Sequence, residues 1–252
     1  MRVFIARGTD SFLSNEICTE STYSAFYGFS LMGAEIVFFD AKEGPPEGLL
    51  RSDIIVGWIG NVKKGLINLG IEPPKELDYP ESLRKYLGRK VWLDKMNRIA
   101  TAHDEWPVFV KPVAGKQFVG KLVKGVGDMI GMGEQGVDRD IWCSDPMDFK
   151  SEWRTFVRYG QMLDSRCYKG DFRVSPDWSV VEEAIKAYTD QPASFTMDVG
   201  PVLQEDGTYK TCIVEVNDGY AMGGYGLFPT QYAKMISARW CEMVGIPDEI
   251  QF

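Results

Sequence analysis

The chain has 252 residues, of which 44% are hydrophobic and 13% aromatic, and its formal net charge is −8. A chain of this size can bury a substantial core, and its aromatic content argues against disorder. The acidic balance argues against unspecific binding of nucleic acid, and no apolar run is long enough to span a membrane. A single histidine, His103, excludes metal centres built from several histidines and disfavours a Ser-His-Asp triad.

The five cysteines are scattered along the chain without C-x-x-C spacing. This pattern indicates reduced thiols and argues against a zinc site. The N-terminus has no signal-peptide pattern. We therefore expect a cytoplasmic protein without a membrane partner.

The first eighty residues alternate between strand and helix patterns. MRVFIAR predicts a first strand, and apolar residues at helical spacing over residues 22–32 predict a helix that ends at Gly33. EIVFFDA and, after the loop EGPPEG, SDIIVGWIG predict two more strands. This order predicts a parallel α/β unit, so residues 1–80 are expected to form a small doubly wound lobe. G-x-G-x-x-G does not follow the first strand, so dinucleotide binding is unsupported.

The prolines of IEPPKELDYPESL predict a linker, and the next segment, up to Trp106, is predicted to be mostly helical with a break near Gly88. PVFVKPV then predicts a strand with Lys111 in its apolar centre. A lysine buried there needs an anionic partner, so Lys111 is a candidate phosphate contact. The Gly- and Lys-rich segment that follows predicts a mobile loop over phosphates or, alternatively, a flexible pair of β-hairpins. It does not match the P-loop pattern.

SEWRTFVRYGQMLDSRCYKGDFRV predicts two strands joined by a turn at Tyr159 and Gly160. One strand contains Arg154 and the other Arg166. Arginine suits bidentate capture of phosphate or carboxylate, which makes both candidates for an anion site. The alternative is that they are surface arginines on an edge hairpin.

Two β-like runs near the end of the chain, FTMDVGPV and CIVEVN, contain acidic residues, and a turn at residues 206–207 predicts that they pair as a hairpin. Residues two apart on a strand share a face, so Glu215 and Asn217 are expected on one face together with Ile213. The hairpin could bring Asp198 beside them. Three oxygen ligands of this kind suit Mg²⁺ held together with substrate phosphates. The alternative is a set of solvent-facing positions on a half-buried hairpin.

Two helices are predicted in the second half of the chain. DWSVVEEAIKAYTDQ predicts a helix with Asp177 or Ser179 as its N-cap. PTQYAKMISARWCEMVGI predicts an amphipathic helix that begins at Pro229, ends at Gly245 and packs against the sheet.

The order of these motifs resembles that of the ATP-grasp family: an α/β lobe, V-F-V-K-P, a Gly/Lys loop, E-W-R-T-F-V, D-V-G-P and V-E-V-N. It is most similar to the clade named for two arginines and a lysine, whose K-x-F-x-G stretch is K-Q-F-V-G here. The resemblance implies a mixed α/β ATP-grasp fold with a Rossmann-like N-terminal lobe. Residues 1–80 would form that lobe and residues 81–252 the catalytic region, divided near residue 144 into a nucleotide-binding and a catalytic subdomain.

The resemblance also implies roles for individual residues. Lys111 would contact the nucleotide phosphates, Lys95 or its competitor Lys90 would be the earlier nucleotide contact, and residues 141–144 would line the adenine. An acidic residue found there in many members is missing, so no residue is assigned to the ribose. The implied nucleotide-binding residues are Lys95, Lys111, Lys116, Trp142, Cys143 and Ser144. The implied catalytic arginines are Arg154 and Arg166, and the implied magnesium ligands are Asp198, Glu215 and Asn217.

The function implied by the resemblance is an ATP-dependent carboxylate–amine ligase that uses Mg²⁺ and an acyl-phosphate intermediate and releases ADP and phosphate. Its substrates would be small-molecule or peptide carboxylates and amines, with no nucleic-acid partner. One alternative is a kinase on the same scaffold, and another is a non-catalytic nucleotide-binding or interaction module. The sequence leaves the two substrates and the oligomeric state open.

Overall fold

The computed structural model of the protein describes residues 1–8, 19–115, 117–132 and 137–250. Its first part is a three-stranded parallel sheet with the strand order β2-β1-β3. The elements of this part are β1 (Arg2–Arg7), α1 (Glu20–Leu31), β2 (Glu35–Asp40), β3 (Asp53–Val56) and α2 (Ile59–Asn68). Thr19 caps α1, because its hydroxyl accepts a hydrogen bond from the backbone N–H of Thr22 at 3.1 Å. The predicted parallel α/β unit is confirmed.

The second sheet, here called the nucleotide sheet, is antiparallel with the order β4-β7-β5-β6. Its elements are β4 (Val91–Lys95), α3 (Met96–Thr101), β5 (Val108–Pro112), β6 (Lys121–Val123) and β7 (Asp140–Ser144). The prediction of a mostly helical segment before Trp106 was wrong for β4. Residues of β4 pair with β7 from Val91 opposite Ser144 to Lys95 opposite Asp140. The gain from pairing with a neighbouring strand outweighs local helix propensity here.

The third sheet, here called the catalytic sheet, is antiparallel with the order β11-β10-β8-β9. Its elements are β8 (Ser151–Arg158), β9 (Gln161–Gly170), α4 (Trp178–Ala187), β10 (Ser194–Leu203), β11 (Tyr209–Asp218) and α5 (Pro229–Val244). Both predicted hairpins are confirmed, and their turns contain Tyr159, Gly160 and Gly207 at positive φ. Asp177, one of two predicted N-caps of α4, accepts from the Ser179 N–H at 3.0 Å.

Helix α5 joins the N-terminal sheet to the catalytic sheet. As predicted, it begins with Pro229 and ends at Gly245, which has a left-handed φ of 70°. Buried residues of α5 such as Trp240 share one hydrophobic core with the N-terminal strands and with Phe156 of β8. Helices α1 and α5 pack so closely that a Cβ on Gly28 would lie 2.1 Å from the Pro229 carbonyl oxygen. Helix α5 and this shared core therefore connect the N-terminal sheet to the catalytic sheet.

The nucleotide sheet has two different faces. Val110 and Cys143 point into a core formed with α3, while Lys111 and Trp142, cross-strand neighbours, point the other way. The second face looks toward β11 of the catalytic sheet, and the cleft between them contains the candidate site. Within the ranges that the structure describes, no helix is both long and apolar enough to cross a bilayer.

Candidate functional site

Lys111 is the cation at the centre of the cleft. Its Nζ lies 2.7 Å from Oε2 of Glu215 and 2.6 Å from Oδ1 of Asp78, and it also sits 4.7 Å from the ring centroid of Tyr79. Burial disfavours the charged ammonium, but Glu215, Tyr79 and Asp78 together raise the pKa of Lys111 above its ordinary value. The ammonium is therefore charged at neutral pH, and the expected need for an anionic partner is met by two carboxylates.

Asp198 and Glu215 lie directly opposite each other on β10 and β11. A β-bulge follows this pair, because the next residue of β10 pairs with Ile213 and leaves Val214 as the extra residue. Arg89 donates to the carbonyl oxygens of Ile213 and Val214 at 2.7 and 2.8 Å, which satisfies two acceptors at the bulge. The bulge turns Ile213 into a hydrophobic core. The prediction that Ile213 shares a face with Glu215 was therefore wrong.

Asn217 completes the predicted oxygen cluster. Its Nδ2 lies 3.2 Å from Oε1 of Glu215 and 3.4 Å from Oδ2 of Asp198. Burial opposes ionisation of Glu215, but Lys111 and Asn217 lower the pKa of this carboxyl below its ordinary value. The structure thus brings the three predicted metal ligands together and keeps Glu215 ionised.

Arg154 and Asp198 form a buried bidentate ion pair. Nε and Nη2 of Arg154 donate to the two carboxylate oxygens of Asp198 at 2.8 and 2.7 Å. Burial raises the pKa of Asp198 above its ordinary value, and the pairing with Arg154 opposes that shift. Both oxygens of one predicted metal ligand are thus bound by a predicted catalytic arginine.

The donor set fits Mg²⁺ in its chemistry. Among the residues that the structure describes, no group of three or more His, Cys, Asp or Glu side chains is gathered for a metal. The predicted set instead has two carboxylates and one amide, and Mg²⁺ in phosphate sites commonly takes only one or two protein carboxylates. All three side chains offer oxygen, and Glu215 keeps Oε1 clear of Lys111.

Arg166 lies opposite Arg154 in the β8–β9 register but does not join this cluster. Its Nε donates to Oδ2 of Asp164 at 3.0 Å, and 43% of its side chain is exposed. Four cavities lie along the cleft, and Arg166 is not among the described residues that line them. Its catalytic role stays a prediction.

Two tyrosines that were not among the predicted site residues flank Arg154. The rings of Tyr168 and Tyr225 stack with their centroids 5.0 Å apart, and the Arg154 guanidinium carbon lies 5.7 and 5.0 Å from the two centroids. The Tyr168 hydroxyl also donates to Glu152 at 2.7 Å. Only their positions in the sequence could have indicated a place in the site, since Tyr168 follows Arg166 by two residues and Tyr225 lies in the Gly-rich GYAMGGYG.

The predicted adenine-lining residues differ in orientation. The indole Nε1 of Trp142 donates to Asp78 at 2.8 Å, and Ser144 lines a cavity of the cleft. Cys143 points into the opposite core, where burial raises its pKa to about 12. Its side chain therefore points away from the cleft, whereas Trp142 and Ser144 face it, and the adenine contact of Cys143 stays a prediction.

Neither Lys95 nor its alternative Lys90 is assembled with Lys111. Lys95 is on the cleft face of β4, but its Nζ pairs with Asp140 at 2.8 Å and half of its side chain is exposed. Lys90, the alternative, has its Nζ 4.7 Å from the Trp92 ring centroid. Lys116 lies outside the described residues.

Four cavities follow one another along the cleft and share lining residues. The first, of about 480 Å³, is lined by Lys111 and Glu215, which also line a second of about 590 Å³. Asn217 connects the second to a third of about 340 Å³, which Arg154 also lines. Tyr220 connects the third to a fourth of about 590 Å³, which reaches the carboxyl ends of β1 and β3. The ion-pair cluster therefore lies where the cleft passes from the nucleotide sheet to the N-terminal sheet.

A family model described as the ATP-grasp domain of R2K clade family 2 matches residues 86–235. A sequence search of curated proteins gives no match.

Similar solved structures include D-alanine–D-alanine ligase from Bacillus anthracis, at 16% identity and a TM-score of 0.56, covering 97% of this chain and 98% of that chain. A RimK domain ATP-grasp protein from Sphaerobacter thermophilus has 13% identity and a TM-score of 0.57, with 94% and 98% covered. N5-carboxyaminoimidazole synthetase from Staphylococcus aureus has 12% identity and a TM-score of 0.56, with 98% and 77% covered. At these identities the likeness is one of fold.

Proposed function

Because the chain belongs to the R2K clade of the ATP-grasp family, we propose that it is an ATP-dependent carboxylate–amine ligase. Its product is an amide formed through an acyl phosphate, and its substrates are small-molecule or peptide carboxylates and amines. The observation that supports this most directly is the meeting of Lys111, Glu215 and Asp198 in the cleft. A buried ammonium 2.7 Å from a carboxylate, beside a second carboxylate and a buried arginine, suits a phosphoryl-transfer site.

The nucleoside is proposed to occupy the first cavity, between β5, β6 and β11. Phe109, Leu122 and Met147 supply apolar surface there, which suits a planar base. Since Cys143 faces away and Trp142 is bonded to Asp78, the adenine is expected against residues 144–147. Glu152 also lines this cavity and is the candidate for the ribose hydroxyls, for which the sequence offered none.

The phosphates are proposed to extend toward Lys111 and Arg154. Phosphoryl transfer needs positioning and neutralisation of charge more than a protein nucleophile, and these two cations supply both. Asp198, Glu215 and Asn217 would hold Mg²⁺, which supplies further neutralisation of phosphate charge. Asp198 and Arg154 would then keep their ion pair while they also contact Mg²⁺ and the phosphates.

The carboxylate and amine are proposed to enter through the third and fourth cavities. These lie between Arg154 and the carboxyl ends of β1 and β3, the edge at which open α/β sheets commonly bind ligands. Gly223 lines both cavities and would let a substrate approach the backbone closely. A cleft continuous from base to acceptor suits a reaction that joins three reactants.

The proposed reaction has two steps. A carboxylate oxygen of the substrate attacks the γ-phosphorus while the bond between that phosphorus and the β–γ bridging oxygen breaks, so that ADP leaves. The amine nitrogen then attacks the acyl carbon, the bond from that carbon to the phosphate oxygen breaks, and the nitrogen loses a proton. The products are an amide, ADP and phosphate.

The test is ADP release from ATP and Mg²⁺ with pooled amino acids and short peptides, followed by mass analysis of products. The proposal predicts ADP release that depends on both a carboxylate and an amine, with a product lighter by one water than the two together. ADP release without an amine, with a phosphorylated product, would identify the kinase alternative. A rise in melting temperature with ATP but no ADP from any pool would identify a binding module.

A further inference from the structure

Asp78 occupies an unexpected position for a linker residue. It lies between α2 and the 3₁₀ turn Glu81–Tyr86, yet only 16% of its side chain is exposed, and its φ is 44°. A non-glycine residue rarely adopts this conformation, although Asp and Asn tolerate it better than most. The chain thus holds a carboxylate in the cleft on a backbone that favours glycine or asparagine.

Three contacts hold Asp78 between the two sheets. Its Oδ1 lies 2.6 Å from Nζ of Lys111, and its Oδ2 accepts from Nε1 of Trp142 at 2.8 Å. Its carbonyl oxygen accepts from the backbone N–H of Val216 at 2.9 Å, next to Glu215. One residue therefore links two neighbouring side chains of the nucleotide sheet to the strand that bears the candidate metal ligands.

The charge of Asp78 is not needed for its contacts with Trp142 and Val216. The amide oxygen of an asparagine can still accept from Trp142, and asparagine tolerates the same φ, but its NH2 group cannot accept from Lys111. The negative charge serves the contact with Lys111, whose other carboxylate partner is Glu215. Two carboxylates hold one ammonium, and an anionic phosphate that approaches Lys111 competes with both.

We propose that Asp78 is a positioning residue: it fixes the Lys111 ammonium in the cleft and is the partner that a nucleotide phosphate displaces from it. This rests on the proposed function and adds a residue to that site. Neutralising Asp78 is therefore expected to have two opposite effects, one on nucleotide binding and one on phosphoryl transfer. Loss of the charge removes a competitor for Lys111 and so tightens nucleotide binding, but it leaves the ammonium less well placed for transfer.

The test is Asp78→Asn, titrated with ADP in the absence of magnesium by isothermal calorimetry. The expected result is a dissociation constant at least threefold lower than that of the unmodified protein. In turnover, KM for ATP and kcat are both expected to fall. A role in stability alone would leave binding unchanged or weaken it, so either of those results would overturn the proposal.

The matched control is Asp94→Asn. The Asp94 carboxylate likewise accepts from an indole, that of Trp92 at 3.1 Å, and from a cation, Arg98 at 2.6 Å, in the same sheet. It faces away from the cleft, so its neutralisation is expected to change ADP affinity by less than twofold. An equal gain in both variants would indicate a general charge effect and overturn the assignment.

Two further variants make the test specific. Combined with Lys111→Met, Asp78→Asn is expected to change ADP affinity by less than twofold, and an undiminished gain would mean that Asp78 does not act through Lys111. Asp78→Gly suits the positive φ and is expected to reproduce the gain if the asparagine variant does not fold. Absence of ADP binding to the unmodified protein would overturn the proposed function as well. ADP binding that is equal in the unmodified protein, Asp78→Asn and Asp78→Gly would overturn only the role of Asp78.

Discussion

Asp198 and Glu215 face each other across β10 and β11, and each is bound by a cation from a different strand. Arg154 of the adjacent β8 takes both oxygens of Asp198, whereas Lys111 crosses the cleft from the nucleotide sheet to reach Glu215 at 2.7 Å. The first pair is internal to one sheet and the second joins two sheets. Removing one partner is therefore expected to have different consequences in the two cases.

Glu215→Gln is expected to lower the rate of ADP formation at least 100-fold, while the protein stays folded. The variant loses a candidate magnesium ligand, but Lys111 keeps Asp78 as a partner, so no buried charge is left alone. ADP release and thermal unfolding measure the two effects. Glu105→Gln, at an exposed carboxylate paired with Arg98, is the control and should keep full activity. Normal ATP turnover by Glu215→Gln would refute the metal assignment.

Asp198→Ala is expected to destabilise the protein by about 3–5 kcal/mol, because it leaves the buried Arg154 guanidinium without its partner. Replacing both partners by apolar residues, as in Arg154→Met with Asp198→Leu, should restore most of that stability but no ADP formation. Urea unfolding and ADP release distinguish these outcomes. Recovery of activity in the double variant would mean that the pair serves only the fold.

Tyr225→Ala is expected to lower kcat/KM about tenfold. The Tyr225 ring stacks on Tyr168 and lies 5.0 Å from the guanidinium carbon of Arg154, and each such contact contributes about 0.5–1.5 kcal/mol. Tyr225→Phe keeps the ring and should retain most of the activity. Equal losses in the two variants would indicate that the hydroxyl matters rather than the stacking.

Asp248→Asn is expected to destabilise the protein by about 2–3 kcal/mol at pH 7 and by less in acid. Burial opposes ionisation of this carboxyl, but hydrogen bonds from Ser237, Ile250, Tyr159 and Arg158 lower its pKa below the ordinary value. A lowered folded pKa contributes stability above the unfolded pKa of about 3.9, which is lost as pH falls through the folded pKa.

Urea unfolding of both proteins at pH 7 and pH 3 measures this dependence. The difference in unfolding free energy between the unmodified protein and Asp248→Asn should shrink at the lower pH. A difference that is constant or larger at pH 3 would contradict the assignment of a lowered pKa to Asp248.

The sequence contained enough information for the family, the fold class and the late hairpin. The predicted membership in the ATP-grasp family is confirmed, and with it the prediction of an ATP-grasp enzyme at the level of the family. Asp198, Glu215 and Asn217 could be placed together because strand alternation and one turn fix their relation. An anionic partner for Lys111, taken to be phosphate, could be expected because a buried ammonium requires one.

Other features depend on contacts between residues distant in sequence. Residues 91–95 became a strand because β7 was available to pair with them, which no local pattern indicates. The bulge at Val214 shifts the alternation by one residue, so the face of Ile213 could not be read from spacing alone. Asp78 was hidden in a proline-rich linker, because its importance comes from Lys111 and Trp142, which lie 33 and 64 residues further on.

A crystal structure of the protein with ADP and Mg²⁺ tests the proposed nucleotide site most directly. The proposed site predicts the diphosphate hydrogen-bonded to Lys111, the metal bound by Asp198, Glu215 and Asn217, and the base against residues 144–147. A nucleotide bound elsewhere, with Lys111 still held between Asp78 and Glu215, would contradict it.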